Sequence, residues 1–291
     1  MNNIFTMETT FSEIEKLKKE NEDFSTLIDY ALPQVSDPFY SNKKLGDLGE
    51  RNTYNAVTSF NFLGDDIVCG RKFLFLQENY MICVSKRHEG NPWCFIFPSS
   101  YAGKTDILHS SGLPIASELT KAGMNTIVME YRLAGRTSAN AFVKESVQAL
   151  KKVREAFGID LNQYLCYGFS YGGCMAAVLS SSEYGVSRYG FETPRGVACA
   201  FTPFSMIEKE IEQKKLYSQN YPPIYLIHGE MDEIIPIREA ERVVAYLKEQ
   251  KIPFFFRRVK DGKHNFGKGY NTQADGWLQD SLDFFIHQNE L

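Results

Sequence analysis

No apolar run in this 291-residue chain approaches the length that crosses a bilayer. The first residues, Met1 to Thr10, lack the positive stretch followed by an apolar core that marks a secretory leader. Neither membrane insertion nor export is therefore expected, and the reading points to the cytoplasm. A surplus of positive charge is absent too. Thirty-two Lys and Arg stand against 36 Asp and Glu, a formal net charge of −4. That balance argues against nucleic acid or an anionic lipid surface as the main partner. There is no Cys-x-x-Cys pair and no Cys/His spacing of the zinc-binding kind. The Asp65-Asp66 pair falls far short of the roughly six to eight oxygens that calcium takes. No metal and no cofactor are expected. Internal repeats and low-complexity tracts are likewise missing.

What is present is ordinary for a globular chain: 43% hydrophobic and 23% charged residues. The six cysteines are Cys69, Cys83, Cys94, Cys166, Cys174 and Cys199. Four of them (Cys83, Cys94, Cys166 and Cys199) lie in apolar runs and read as buried, reduced thiols. The length suits one large α/β domain behind an N-terminal extension, divided at about 1–56 and 57–291. Within the extension, Phe11, Ile14 and Leu17, then Phe24, Leu27 and Ile28, recur at helical spacing and predict an amphipathic helix over 11–30. It either packs on the core or pairs two copies into a homo-oligomer. Residues 31–56 read as linker.

Beyond the linker, Val57–Leu63, Lys72–Leu76 and Tyr80–Ser85 predict antiparallel strands joined by turns. From Trp93 to Phe97 onward the pattern alternates. Strands are expected at 125–131, 164–169, 196–201, 224–228 and 254–260, with helices at 113–122, 138–157, 171–182, 205–215, 237–250 and 275–288. Such alternation implies right-handed crossovers and a mostly parallel sheet with helices on both faces.

Gly168-Phe169-Ser170-Tyr171-Gly172 carries the most information. An apolar strand precedes it and an apolar helix follows. Ser170 is thus expected on a sharp strand-to-helix turn, with its Oγ exposed at the carboxyl edge of the sheet and the Tyr171 N–H aimed at the same space. A serine hydroxyl is a weak nucleophile and needs a base, which in turn needs an orienting acid. Asp232 is the candidate acid, in the loop His228-Gly229-Glu230-Met231-Asp232-Glu233 that leaves a buried strand; Glu230 and Glu233 compete with it. His264, in Gly262-Lys263-His264-Asn265, is the candidate base. Both follow strands, where sites of open α/β sheets lie. His228 reads as a structural residue at a strand end rather than a second base. His109, Arg132, His88 and His287 read as loop, surface or hydrogen-bonding residues.

With these three motifs in the order Ser, acid, His, the chain resembles the α/β-hydrolase superfamily over about residues 70–291. Within it, the chain is most similar to small esterases and acetyl-esterase-like carbohydrate esterases. The residues that carry the likeness are Met129-Glu130-Tyr131-Arg132-Leu133, the Gly-Phe-Ser-x-Gly-Gly elbow and the His-Gly-x-x-Asp-x-x-x-Pro acid loop. The resemblance implies that Ser170 is the nucleophile, His264 the general base then acid, and Asp232 the orienting carboxylate. The Tyr171 N–H supplies one oxyanion donor. The second belongs to the loop after the 93–97 strand, where many relatives carry His-Gly-Gly-Gly and this chain has Pro98-Ser99-Ser100-Tyr101. Ser99, Ser100 or Tyr101 is expected to provide it.

The aromatics Phe204, Tyr217 and Tyr221, and Tyr184, Tyr189 and Phe191, fall in segments expected over the carboxyl edge, where they suit an acyl chain or a ring. The resulting expectation is hydrolysis of short acyl esters of a small molecule, including sugar acetates. A thioesterase, acyltransferase or peptidase on the same residues, or a hydrolase fold turned to binding, stands as the alternative.

Overall fold

The computed structural model describes residues 91–101, 104–105, 110–129, 131, parts of 143–154, and 163–289 except 209, 210 and 219. It also gives the backbone of strands at 3–4, 56–64, 67–74 and 78–85. The expected helix at 11–30, most of the linker, Asp65-Asp66, His88, His109 and Arg132 lie outside the described residues.

Short apolar runs, too short for helices and bounded by turns, form the centre of the molecule. These are β5 (Trp93–Phe97), β8 (Asn125–Met129), β9 (Tyr164–Phe169), β10 (Gly196–Ala200) and β11 (Ile224–Gly229), with β12 (Phe254–Val259) at the edge. All six run parallel, in the spatial order β8-β5-β9-β10-β11-β12. On the far side of β8 come β4 (Glu78–Ser85), β3 (Ile67–Leu74), β2 (Ala56–Gly64) and β1 (Asn3–Ile4), each antiparallel to its neighbour. Strand β1 was not expected, and it ties the start of the extension to the main sheet. Strand β3 begins at Ile67, five residues ahead of its expected start, because pairing with β4 carries through Gly70, Arg71 and Lys72 despite their polarity.

Successive residues of the buried strands face opposite ways, so one sheet feeds two cores. Phe95, Phe97, Cys166, Val197, Cys199 and Leu226 pack on one face against the helix Tyr171–Leu179. Cys94, Ile96, Tyr167, Phe169, Ala198 and Ile227 pack on the other, against helices Leu113–Lys121 and Trp277–Asn289. Cys94, Cys166, Cys174 and Cys199 are buried thiols outside any disulfide. Burial pushes the thiols of Cys94, Cys166 and Cys199 well above their ordinary range, so they serve as small apolar groups rather than nucleophiles.

Strand β12 is half-exposed and holds the sheet edge with charge. Arg257 meets Asp280, and Arg258 meets Glu230 and Glu241. The helix expected over 205–215 is two short ones, Ser205–Glu208 and Gln213–Leu216. The break lets Ile207, Ile211, Leu216 and Tyr217 all reach the core. Among the described residues, no helix is long and apolar enough to cross a membrane.

The chain leaves β5 for β8 on one side, then crosses back to β9 on the other. The reversal opens a crevice beyond the carboxyl ends of β5 and β9, where ligands of open α/β sheets bind.

Candidate active site

Ser170 stands at the lip of that crevice. Its backbone has φ 52 and ψ −125, a region that costs a non-glycine residue about 1–3 kcal/mol. The surroundings hold it there. The Ser170 N–H donates to the Ala200 carbonyl at 2.9 Å, extending the β9–β10 ladder one residue past the strand. The helix that begins at Tyr171 is buried from Gly172 to Leu179. Gly172 lets that helix press on the end of β5: a Cβ there would stand 2.1 Å from the Phe97 oxygen and 2.5 Å from the Pro98 oxygen. The elbow sequence thus couples the serine to the loop after β5.

Asp232 and His264 come from the next two connections. The Asp232 side chain is fully buried. Its Oδ1 accepts the N–H groups of Ile234 at 2.9 Å and Ile235 at 2.8 Å, and its Oδ2 lies 2.8 Å from His264 Nδ1. Burial alone pushes this carboxyl upward. Hydrogen bonds from His228, His264 and the Ile235 N–H outweigh it and hold Asp232 well below the usual carboxylate range. An ionised acceptor at Oδ2 fixes the proton of His264 on Nδ1. Nε2 is left as the basic atom, and it lies 3.1 Å from Ser170 Oγ. The structure therefore brings Ser170, His264 and Asp232 into one hydrogen-bonded chain. Glu230 and Glu233 stay out of it: Glu230 pairs with Arg258, and Glu233 is exposed.

Two supports of His264 were not read from the sequence. Phe201 meets the imidazole in a T-shaped contact, with centroids 5.0 Å apart, packs likewise on Phe266, and lies tilted against Phe169. It is fully buried and holds φ 40. Its place directly after β10 was the available signal. Asn265, also at positive φ, bonds Ser110 through its side chain, and the Trp277 indole N–H donates to the Gly267 carbonyl at 3.1 Å. The His264 loop is pinned at both ends.

In the loop after β5, one of the three expected donors is already hydrogen-bonded. Ser99 is buried, and its N–H donates to Ser111 Oγ at 2.9 Å while the two hydroxyls sit 2.7 Å apart. The carbonyl at the other end of the same peptide, that of Pro98, accepts the Tyr131 hydroxyl. Both ends of this peptide are thus hydrogen-bonded within the loop and its neighbours, and the Ser99 N–H is taken up by Ser111. Ser100 is half-buried and pairs with Thr105 in a two-stranded ribbon, β6 (Ser100–Tyr101) with β7 (Lys104–Thr105). Tyr171 is the first residue of the elbow helix, and its ring leans on Tyr131 at 6.2 Å.

The aromatics expected over the site divide. Phe204, Tyr217, Tyr221 and Phe191 are buried in the core, and Tyr221 donates to the Ala177 carbonyl of the elbow helix. They belong to the core cluster that packs against the elbow helix. Tyr184 and Tyr189 are half-buried against the same cluster.

Solved structures of similar shape agree with this architecture. A truncated carbohydrate esterase from gut microbiota superposes with a TM-score of 0.60 at 18% identity, over 82% of this chain and 98% of that one. The carboxylesterase Cest-2923 from Lactobacillus plantarum gives 0.58 at 18% identity, over 73% and 94%. The α/β-hydrolase enzyme MGS-M1 from a deep-sea metagenome gives 0.57 at 18%, over 82% and 100%. At such identities the likeness speaks for the fold. Among curated proteins, a 95-residue segment is 30% identical to the non-reducing polyketide synthase stbA of Stachybotrys bisbyi. That segment is 33% of this chain, and the match spans 4% of the synthase. Residues 130–290 match the model of the prolyl oligopeptidase family. That span is more than half of the chain and runs from the residue after β8, through the serine elbow, the acid loop and the base loop, to the final helix, so the α/β-hydrolase described above belongs to the prolyl oligopeptidase family.

Proposed function

We propose that the chain is a serine hydrolase that cleaves short-chain acyl esters of a small molecule through an acyl-enzyme. The observation that carries this reading is the chain Ser170 Oγ, His264 Nε2, His264 Nδ1, Asp232 Oδ2, with the serine in a strained elbow. His264 takes the Ser170 proton as Oγ attacks the ester carbon, then gives it to the departing alkoxide; water repeats the cycle on the acyl-enzyme. Asp232 stays ionised and stabilises the imidazolium. The developing oxyanion needs preorganised donors. The Tyr171 N–H at the helix start is one. With the Ser99 N–H committed, Ser100 or Tyr101 is the second. No metal or cofactor enters this cycle, and the setting we assign is cytoplasmic.

The acyl group is assigned as short, with sugar acetates as the leading class. Support comes from the names borne by similar folds, among them a carbohydrate esterase and an acetyl ester-xyloside bifunctional hydrolase from Caldicellulosiruptor lactoaceticus. Peptide hydrolysis is the second reading, favoured by the family description itself. The test is hydrolysis of p-nitrophenyl esters from acetate to decanoate, beside acetylated xylo-oligosaccharides and prolyl p-nitroanilides, by wild type and Ser170→Ala. The expected result is turnover of the short esters and a loss of about 10⁵–10⁶-fold in kcat for the variant. Turnover of the anilides alone makes the chain a peptidase. Equal activity of variant and wild type removes Ser170 from the chemistry.

A further inference from the structure

His228 is 1% exposed at the end of β11, and its surroundings define its state. Nε2 lies 2.8 Å from the Ile235 carbonyl oxygen and 3.5 Å from Asp232 Oδ2, the oxygen that also meets His264 Nδ1 at 2.8 Å. Both neighbours of Nε2 are pure acceptors, so Nε2 carries the proton. Nδ1 is buried and meets no hydrogen-bond partner among the described residues. A proton there would face no acceptor, whereas a bare lone pair costs less. His228 is thus a fixed donor and has no geometry for a second base.

We propose that His228 is a positioning residue for Asp232: its Nε2–H, shared between the Ile235 carbonyl and Asp232 Oδ2, closes the acid loop and divides the Oδ2 charge between two imidazoles. This inference rests on the Ser170–His264–Asp232 reading above. Three hydrogen bonds reach the carboxylate, from the Ile234 and Ile235 N–H groups on Oδ1 and from His264 on Oδ2, and His228 Nε2 lies 3.5 Å from Oδ2 as a longer fourth neighbour. The Ile235 residue whose N–H serves Oδ1 also offers its carbonyl to His228, so loop and side chain fix each other. Among the described residues, Asp232 is the only charged group bonded to either imidazole. Glu230 is held by Arg258, and Glu233 is exposed. Charge that Oδ2 spends on His228 is not available to His264. Removing the His228 donor concentrates it on His264 and stabilises the imidazolium, so a smaller fraction of His264 is neutral on the acid limb.

The proposal is tested with His228→Leu, which removes the donor, and His228→Gln, which keeps an amide N–H at similar reach. For His228→Leu the acid limb of kcat/KM is expected to move up by roughly half a pH unit. Its kcat should fall about tenfold, with KM within about twofold of wild type. His228→Gln is expected to restore the limb and most of kcat. A limb unmoved in His228→Leu, or moved equally by both variants, overturns the proposal. Nitrogen-15 NMR of the wild type gives a reading independent of activity and of the folding of either variant. His228 is expected as the Nε2–H tautomer, and an Nδ1–H tautomer overturns the proposal. If the wild type hydrolyses nothing, the functional reading falls. The tautomer, and the His264 titration midpoint in the wild type and variants, still decide the role of His228.

Discussion

Thr202 Oγ1 lies 1.8 Å from the point where a Cβ on Gly173 would stand. The second glycine after the elbow serine is therefore set by the residue that follows Phe201, on the neighbouring strand's connection. Gly173→Ala is expected to displace the elbow helix, cost about 1–3 kcal/mol in urea unfolding, and lower kcat sharply. Thr202→Ala in the same chain removes the nearest atom and should recover part of both losses. Gly172→Ala should have no comparable rescue, because the obstacle there is the backbone oxygen of Phe97.

Ser99 and Ser111 differ in what their loss leaves behind. Ser111→Ala strands the buried Ser99 N–H and is expected to cost about 1–3 kcal/mol. Ser99→Ala keeps that N–H paired and should cost less. The order of thermal midpoints, Ser111→Ala below Ser99→Ala, checks the assignment of the Ser99 N–H to structure.

Asp232 has a folded proton affinity below its unfolded one, near pH 3.9 for a free aspartate. Its contribution to stability is therefore fully present above that pH and is lost as pH falls toward the depressed folded value. Asp232→Asn is expected to be less stable than wild type at pH 7, with the gap narrowing as the medium is acidified below about pH 4. Urea midpoints between pH 7 and 3 measure this. The same variant presents an amide to His264, and kcat should drop about 10³–10⁴-fold.

Phe201 gives His264 an aromatic wall. Phe201→Ala is expected to cost about 3–5 kcal/mol, and Phe201→Leu less. In both, kcat should fall more than KM rises, since the ring touches the base. Steady-state kinetics beside thermal melting separates the two effects.

The parallel half of the sheet was legible because buried parallel strands are short apolar runs and their helices alternate with them. The elbow, Asp232 and His264 were legible because each sits just after such a run. Elsewhere the signal was missing for physical reasons. Asn3–Ile4 has no pattern of its own and becomes a strand through Phe62 and Asn61 of β2. The direction of the Ser99 N–H depends on Ser111, 12 residues away, and on Tyr131, 33 residues beyond Pro98. Phe204, Tyr217 and Tyr221 read as pocket aromatics because composition names a side chain but not the face it takes.

Asp232 and His264 lie 32 residues apart within a single β11–helix–β12 unit, whereas Ser170 is 94 residues from His264. The two connections are also stitched by backbone: the Glu230 N–H donates to the Val259 carbonyl and the Met231 N–H to that of Gly262. The Asp232–His264 contact therefore closes over a shorter loop than the Ser170–His264 contact, which also spans the β9–β10 and β10–β11 pairings. Displacing β9 from β10 would part Ser170 from His264 while leaving the Asp232–His264 pair and its backbone stitching in place. The full hydrogen-bonded chain thus depends on a strand pairing that its Asp232–His264 half does not need.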